Sequence, residues 1–235
     1  MMAADDITPG LLQKIEKDFA ERIKHSEKLN NAIAILETKK ATYADANVVA
    51  LEAGEILASL LSENITSEIL PDGKMYYNIA ERVLNKMLGK NYKLISAFSS
   101  EVQEILNKAA KIGLKTQVPK LNQDRIDGLV NRISSTENFD DVKWLLDDPI
   151  VNFSQSIVDD FIEANASFQA KTGLKPQLIR RAESKPCAWC QSLAGIYDYA
   201  NAPEDIYRRH ERCRCTVEYD PRSGRRQDVW SKTWN

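Results

Sequence analysis

The sequence predicts a mainly α-helical protein, with a helical N-terminal body over residues 1–174 and a small α+β module over residues 175–235. Three observations lead to this prediction. Apolar residues recur at spacings of three and four through most of the first 174 residues. Glycine and proline number only 9 and 8 in 235 residues, which favours long regular elements. Beyond Lys175 the pattern changes to short strand-like segments, and all four cysteines occur there.

The first two helical segments supply candidate core residues. Residues 10–36 and 47–65 both have the apolar periodicity of an amphipathic helix. The candidates are Leu11, Ile15, Phe19 and Ile23 in the first segment, and Val48, Leu51, Ile56 and Leu60 in the second.

Further helices are predicted along the rest of the body. Two separate helices are expected over residues 75–88 and 91–114, with Gly113 ending the second. Helical patterns continue over residues 123–135, 139–148 and 151–173, giving six to eight helices in all. Nothing in this part resembles a catalytic site.

The C-terminal module is predicted to contain shorter elements. Residues 177–183 and 196–200 are typical of short strands, and the alternation of Val217 and Tyr219 predicts another. The segment PCAWCQSLAG is expected to be a turn that enters one or two helical turns. Pro203 and the acids after it suit the start of a helix.

Charge is distributed unevenly between the two parts. The whole chain has a net charge of −2, but residues 1–174 carry 20 basic and 26 acidic residues, and residues 175–235 carry 12 and 8. A basic module can contact phosphates of nucleic acid, although solvated arginines paired with nearby acids are an equally good interpretation. The arginines concerned are Arg208, Arg209, Arg212, Arg214, Arg222, Arg225 and Arg226.

The N-terminal segment and the length of the apolar stretches indicate the cellular compartment in which the chain folds. MMAADDITPG is acidic and lacks an apolar run, so we expect no signal peptide. The apolar stretches fall short of the roughly 20 residues of a membrane span, so we expect no membrane association. We therefore expect folding in a cytoplasm, where disulfides are rare and clustered cysteines bind metal or carry out redox chemistry.

The cysteines have the spacing of a structural zinc site. Cys187 and Cys190 form C-x2-C, and after 19 residues His210, Cys213 and Cys215 form H-x2-C-x-C. Two thiolates on one tight turn and further ligands on a second element can surround one Zn²⁺ ion. If residues 203–213 are helical, His210 and Cys213 share a face. If Cys213 and Cys215 lie on a strand, they point to opposite sides, so the choice of four ligands from five stays open.

Other roles for the cysteines were weighed against zinc. They can be core residues, or they can form disulfides in an extracellular particle. A thioredoxin-like C-x2-C needs a βαβ context that the sequence does not show.

Two enzymatic interpretations were also considered. His25 and Glu27 give H-x-E, which together with Cys187 and Cys190 formally matches a zinc deaminase signature. The two halves are far apart, however, and little sheet is predicted. A histidine–metal nuclease needs further ligands and a base, and His210 is the only histidine in the module. We therefore expect no enzymatic activity and no small-molecule substrate.

The C-terminal motif resembles that of a known family. The segments CAWCQSLAGIYDY and EDIYRRHERCRCTVEYDPRSGRRQDVWSKTW resemble the end of minor head proteins of tailed phages and prophages, also called head morphogenesis or Mu F-like minor capsid proteins. The resemblance covers residues 175–235, and the helical part agrees only in general character. It implies that Cys187, Cys190, His210, Cys213 and Cys215 form the metal site.

The resemblance also implies a place and a role. It implies a virion component inside the head near the portal, assembled in the host cytoplasm, that aids head assembly or genome delivery. The implied partners are the portal or major capsid protein, with packaged DNA as a further partner. Trp230, Trp234, Arg225 and Arg226 are candidate partner-binding residues, because paired aromatics favour interfaces. The alternatives are a DNA-binding accessory protein that uses the basic module and, less in keeping with the pattern, a zinc-dependent nuclease or deaminase.

Overall fold

The structure, a computed structural model, describes residues 6–222 and confirms the mainly α fold class with a small sheet near the C-terminus. The helices are α1 Thr8–His25, α2 Glu27–Glu37, α3 Tyr43–Asn64, α4 Tyr77–Ala109, α5 Gln123–Ser134, α6 Asp148–Lys171 and α7 Ala188–Leu193. The strands are β1 Gln177–Arg181, β2 Gly195–Asp198 and β3 Thr216–Asp220. Among the described residues, no helix is long and apolar enough to cross a membrane.

The first predicted helical segment is divided into α1 and α2 at Ser26. The backbone of Ser26 is extended, and its hydroxyl oxygen accepts a hydrogen bond from the N–H of Leu29 at 3.3 Å, which caps α2. The same hydroxyl donates to Glu52 of α3 at 2.8 Å. The side chain of Ser26 therefore marks the break between α1 and α2 and also attaches this break to α3.

The buried face of α3 differs from the predicted one. Val48 is 43% exposed, so its assignment to the core was wrong, and Leu51 and Ile56 are only half-buried. The buried face consists mainly of small residues and leucines, at Ala46, Val49, Ala50, Ala53, Gly54, Leu57, Ala58, Leu60 and Leu61. A Cβ atom on Gly54 would lie 2.8 Å from Ser154 of α6, so this face lets α3 and α6 approach closely.

The two helices predicted around residue 89 form the single 33-residue helix α4. Gly89 lowers helix propensity by about 1 kcal/mol relative to alanine, which is too little to break a helix with buried residues on both sides. Leu88 and Asn91 continue the buried face across it. The helix ends at Ala109, before the predicted Gly113.

The sheet attaches the C-terminal module to the helices. The strand order is β2–β1–β3, with both pairs antiparallel, and Leu178 of β1 lies opposite Tyr197 of β2 and Tyr219 of β3. Leu178, Val217 and Tyr219 are buried in the same apolar core as the helices. Strand β3 packs on α3 and α6, and α6 packs on α3 and α4. Helices α3 and α6 therefore form the face of the helical body on which the sheet packs.

Candidate metal centre

Short elements at the edge of the sheet position the four cysteines and His210. Cys187 is the N-cap of α7, and its sulfur accepts a hydrogen bond from the N–H of Cys190 at 3.4 Å. This tight turn is the conformation that the C-x2-C spacing predicted. Cys213 and Cys215 lie just before β3 and return to the same place.

The five side chains form two overlapping groups of potential ligands. Cys187, Cys190 and His210 form one group, and Cys190, Cys213 and Cys215 form the other, with donor atoms within 4.8 Å in each. His210 Nε2 lies 3.4 Å from Cys187 Sγ and 3.0 Å from Cys190 Sγ, and the sulfurs of Cys190 and Cys213 are 3.9 Å apart. Ligands of one tetrahedral zinc-sized ion lie about 3.5–3.8 Å apart. The cluster can therefore hold a metal ion, and Cys190 belongs to both groups.

Two conditional arrangements considered for this cluster do not form. Cys213 and Cys215 do not alternate away from each other, because β3 begins only at Thr216. Residues 203–213 are not a helix, because only a 3-10 turn over Glu204–Tyr207 forms there. His210 and Cys213 instead meet through a turn, in which the N–H of Cys213 donates to the carbonyl of His210 at 3.2 Å.

The ring of His210 is oriented for coordination through Nε2. Its Nδ1 lies 2.5 Å from the carbonyl oxygen of Glu211. Because a carbonyl can only accept, Nδ1 carries the proton, and the lone pair of Nε2 faces the sulfurs of Cys187 and Cys190. Trp189 of α7 packs edge-on to the imidazole, with ring centroids 6.0 Å apart.

Burial differs among the thiols and changes their acidity. Cys190, Cys213 and Cys215 are buried, and Cys187 is exposed. Burial raises the pKa of Cys190 well above its usual range, and it also raises the pKa of Cys215. The pKa of Cys187 is lowered, first because the backbone N–H of Cys190 donates to its sulfur. All four cysteines are free, so metal binding at this cluster requires proton release from buried thiols.

Most of the described arginines of the module are engaged within the protein. Arg209 is buried against Asp159 of α6, so for this residue the structure favours pairing with an acid over contact with phosphate. Arg208 pairs with Asp205, Arg214 with Asp148 and Glu55, and Arg222 with Asp198, at 2.9–3.4 Å. Arg212 is exposed and lies 3.7 Å from Asp148. The predicted partner-binding residues Arg225, Arg226, Trp230 and Trp234 lie outside the described residues.

Sequence reasoning missed two residues near the cluster. Arg180 of β1 is 2% exposed and donates to backbone carbonyls of the segment that carries His210. Asp159 of α6 is the buried partner of Arg209. No sequence pattern identifies either residue, because the hydrogen-bond partner of each lies 26 to 50 positions away in the chain.

The deaminase-like arrangement is not formed among the described residues. His25 is exposed at the end of α1 and points its Nδ1 at the carbonyl of Glu21 at 2.8 Å. Cys187 and Cys190 are grouped with His210, and His25 belongs to neither candidate group.

The donor set favours a borderline or soft transition metal over calcium or magnesium, which prefer oxygen ligands. Five sulfur and nitrogen donors in two overlapping groups are more than the four that a tetrahedral site uses. In comparisons with known proteins, no family model, no curated protein and no solved structure matches this chain.

Proposed function

We propose that this chain is a minor structural protein of a tailed-phage or prophage head, which aids head assembly or genome delivery and has no catalytic activity. One observation carries the proposal. The residues by which the C-terminal module resembles the minor head proteins also converge in space, at Cys187, Cys190, His210, Cys213 and Cys215. The proximity of residues that are scattered along the sequence supports the interpretation of this motif as a metal site.

We further propose that the site holds one structural Zn²⁺ ion with four of the five donors. The sulfur–nitrogen donor set and the 3.0–3.9 Å separations support zinc. Cys190 is the ligand common to both groups and is expected to be indispensable. The ion would join α7 to the segment before β3, and its role is to hold these two short elements together.

The proposed location is the interior of the head near the portal, reached from the host cytoplasm during assembly. The proposed partners are the portal or major capsid protein, bound through Trp230 and Trp234, with packaged DNA contacted by Arg225 and Arg226. The alternative of a DNA-binding accessory protein is weakened at two arginines, because Arg209 is buried against Asp159 and Arg214 is largely covered in its pair with Asp148. That alternative predicts affinity for DNA that falls steeply with salt.

The location is tested by quantitative mass spectrometry of purified particles, with DNA-filled virions compared with empty procapsids. We expect the chain in both, at a few copies per portal. Absence from both would contradict the proposal and would redirect attention to nucleic-acid binding by the C-terminal module.

As a test of the deaminase alternative, Glu27→Ala is expected to leave particle assembly unchanged.

The zinc proposal is tested by elemental analysis of the purified chain. We expect about one zinc ion per chain in the native protein, as a closed four-ligand site requires. Cys190→Ser is expected to abolish stoichiometric zinc, and His25→Ala, which changes the other histidine of the chain, is expected to retain it. Metal-free native protein with four freely titratable thiols would exclude the proposed site.

A further inference from the structure

Arg209 is a buried residue that directly precedes His210 in the chain. Its guanidinium forms a two-pronged ion pair with Asp159 of α6, with both nitrogen–oxygen distances at 2.8 Å. Its third nitrogen donates to the backbone carbonyl of Cys215. The side chains of Arg209 and Asp159 are 5% and 3% exposed. Arg209, which adjoins the potential ligand His210, therefore links Asp159 of the helical body to the backbone of the potential ligand Cys215.

A buried ion pair is not in itself a good source of stability. Removing both charges from water costs about as much as their attraction returns, so apolar residues of similar size often serve as well. The fork of an arginine does fix two directions at once, which a lysine or an apolar residue cannot do. Because Arg209 adjoins His210 in the chain and bonds to the carbonyl of Cys215, its role is to orient the backbone that carries these two residues.

The segment that carries the ligands is held at other points in the same way. Arg180 of β1 donates to the carbonyls of Ile206 and Arg208, the latter at 2.9 Å. Asn152 of α6 donates to the carbonyl of His210 at 3.3 Å. With the bond from Arg209 to Cys215, four carbonyls between residues 206 and 215 accept from side chains at least six positions away in the chain. Two of these bonds come from Arg180 of β1, one from Asn152 of α6, and one from Arg209, which is paired with α6.

These side-chain hydrogen bonds hold the segment in place of the backbone hydrogen bonds of a helix or a strand. Residues 208–215 form neither helix nor strand, so their backbone has no regular ladder to fix it. Arg180 of β1 and Asn152 of α6 donate directly, and Arg209 is held by Asp159 of α6; both elements belong to the packed core. The metal ligands on this segment are therefore placed by rigid elements outside it.

We propose that Arg209, held by Asp159, is a positioning residue for the metal centre and couples metal affinity to helix α6. The inference rests on the proposed metal binding and goes beyond it, because it assigns a function to residues that are not ligands. Partners of metal ligands commonly change metal affinity 10- to 100-fold. The coupling is reciprocal, so bound metal also strengthens the attachment of the segment to α6.

The test measures zinc affinity and release rate in the full chain, by competition with a chromogenic chelator. We expect Arg209→Ala to weaken zinc binding by about 10- to 100-fold. Arg209→Lys is expected to restore only part of the affinity, because one ammonium cannot reach both carboxylate oxygens and the carbonyl of Cys215. The matched control is Arg208→Ala, which removes the adjacent exposed arginine and is expected to change affinity by less than about twofold.

Two additions keep the test decisive if Arg209→Ala does not fold. Asp159→Asn preserves side-chain shape while removing the charge that orients Arg209, and it is expected to weaken zinc binding in the same direction. The absorption spectrum of Co²⁺-loaded protein reports ligand geometry, and we expect its bands to shift in Asp159→Asn but not in Arg208→Ala. A purely structural role would lower thermal stability without changing this spectrum.

The possible failures can be distinguished. Folded Arg209→Ala or Asp159→Asn protein with native zinc affinity and a native Co²⁺ spectrum would overturn the positioning role while leaving the metal site intact. Native protein that binds neither Zn²⁺ nor Co²⁺ would overturn the metal site and the positioning role together.

Discussion

Asp160 is a partly buried carboxyl on α6 whose pKa is raised to about 6, first by burial and then by the charge of Asp159. The folded state therefore holds this proton more tightly than the unfolded chain, in which the pKa is about 3.9. The resulting contribution to stability is fully present below pH 4 and is lost as the pH rises through 6.

We expect Asp160→Asn to remove this dependence and to stabilise the protein at pH 7.5 by about 1 kcal/mol, after allowance for solvent screening. Urea unfolding at pH 4.5 and 7.5 measures it. The exposed Asp124→Asn is the control and is expected to change stability little at either pH. A loss of stability at pH 7.5 in Asp160→Asn would show that the carboxylate makes a favourable interaction.

Asn47 joins α3 to the sheet through one side chain. Its amide nitrogen donates to the carbonyls of Tyr43 and Val217, both at 2.7 Å, in a fully buried position. Asn47→Ala leaves the carbonyl of Val217 without this donor, so we expect a loss of about 2 kcal/mol in the free energy of unfolding. Circular dichroism during urea unfolding measures the loss. The neighbouring exposed Val48→Ala should change stability by less than about 0.5 kcal/mol, and equal effects would contradict the assigned role of Asn47.

The position of a side chain in the structure could be predicted where it depends on spacing along the chain. It could not be predicted where it depends on a partner that is distant in the sequence. Cys187 and Cys190 were placed correctly because they are only three residues apart and lie on one turn. The burial of Arg209 depends on Asp159, 50 residues away, so the sequence around it suggested only a basic surface. Val48 was misassigned because the periodicity of α3 fits two faces, and only packing against α6 selects one.

Among the elements, α3 and α4 each contain a glycine in their interior, and the two glycines serve different purposes. A Cβ atom on Gly89 of α4 would have no neighbour within 4 Å, so Gly89→Ala is expected to stabilise the protein by about 0.5–1 kcal/mol. A Cβ atom on Gly54 would lie 2.8 Å from Ser154 and 3.1 Å from the backbone of Val151. Gly54→Ala is therefore expected to destabilise by about 1–3 kcal/mol through overpacking. Thermal unfolding of the pair tests both signs, and a stabilising Gly54→Ala would mean that α3 and α6 separate easily.

Element types could be predicted from periodicity, but element boundaries could not. The division at Ser26 comes from a capping hydroxyl that also bonds to Glu52 of α3, a contact that no local pattern encodes. The continuity of α4 through Gly89 comes from burial on both sides, which outweighs a weak helix former. The segment before β3 is irregular, and side-chain donors from α6 and β1 bond to its carbonyls at His210 and Arg208, which no local pattern encodes.

Over the whole molecule, the change of pattern at residue 175 coincides with the change from helices to sheet, but the apolar core crosses it. Leu178, Val217 and Tyr219 pack with the helices, whereas Cys190, Cys213 and Cys215 form a separate buried cluster with Ala182 and Trp189 against it. The first group needs no metal to stay buried. The second has little apolar surface of its own, so under the proposed metal binding its burial would depend on the ion and on the contacts with α6.

Removal of the metal is therefore expected to loosen one region and to leave the rest folded. In hydrogen exchange followed by mass spectrometry, chelator-treated protein should exchange faster over residues 186–215, while α3, α4 and the buried strand β3 keep most of their protection. The helical circular dichroism signal should change little, because the six-residue α7 is the only described α-helix within that region. Cys190→Ser without chelator should reproduce the pattern, and His25→Ala should not. Faster exchange throughout α3 and α4 would mean that the ion stabilises the entire fold, and unchanged exchange over residues 186–215 would mean that it holds nothing in place.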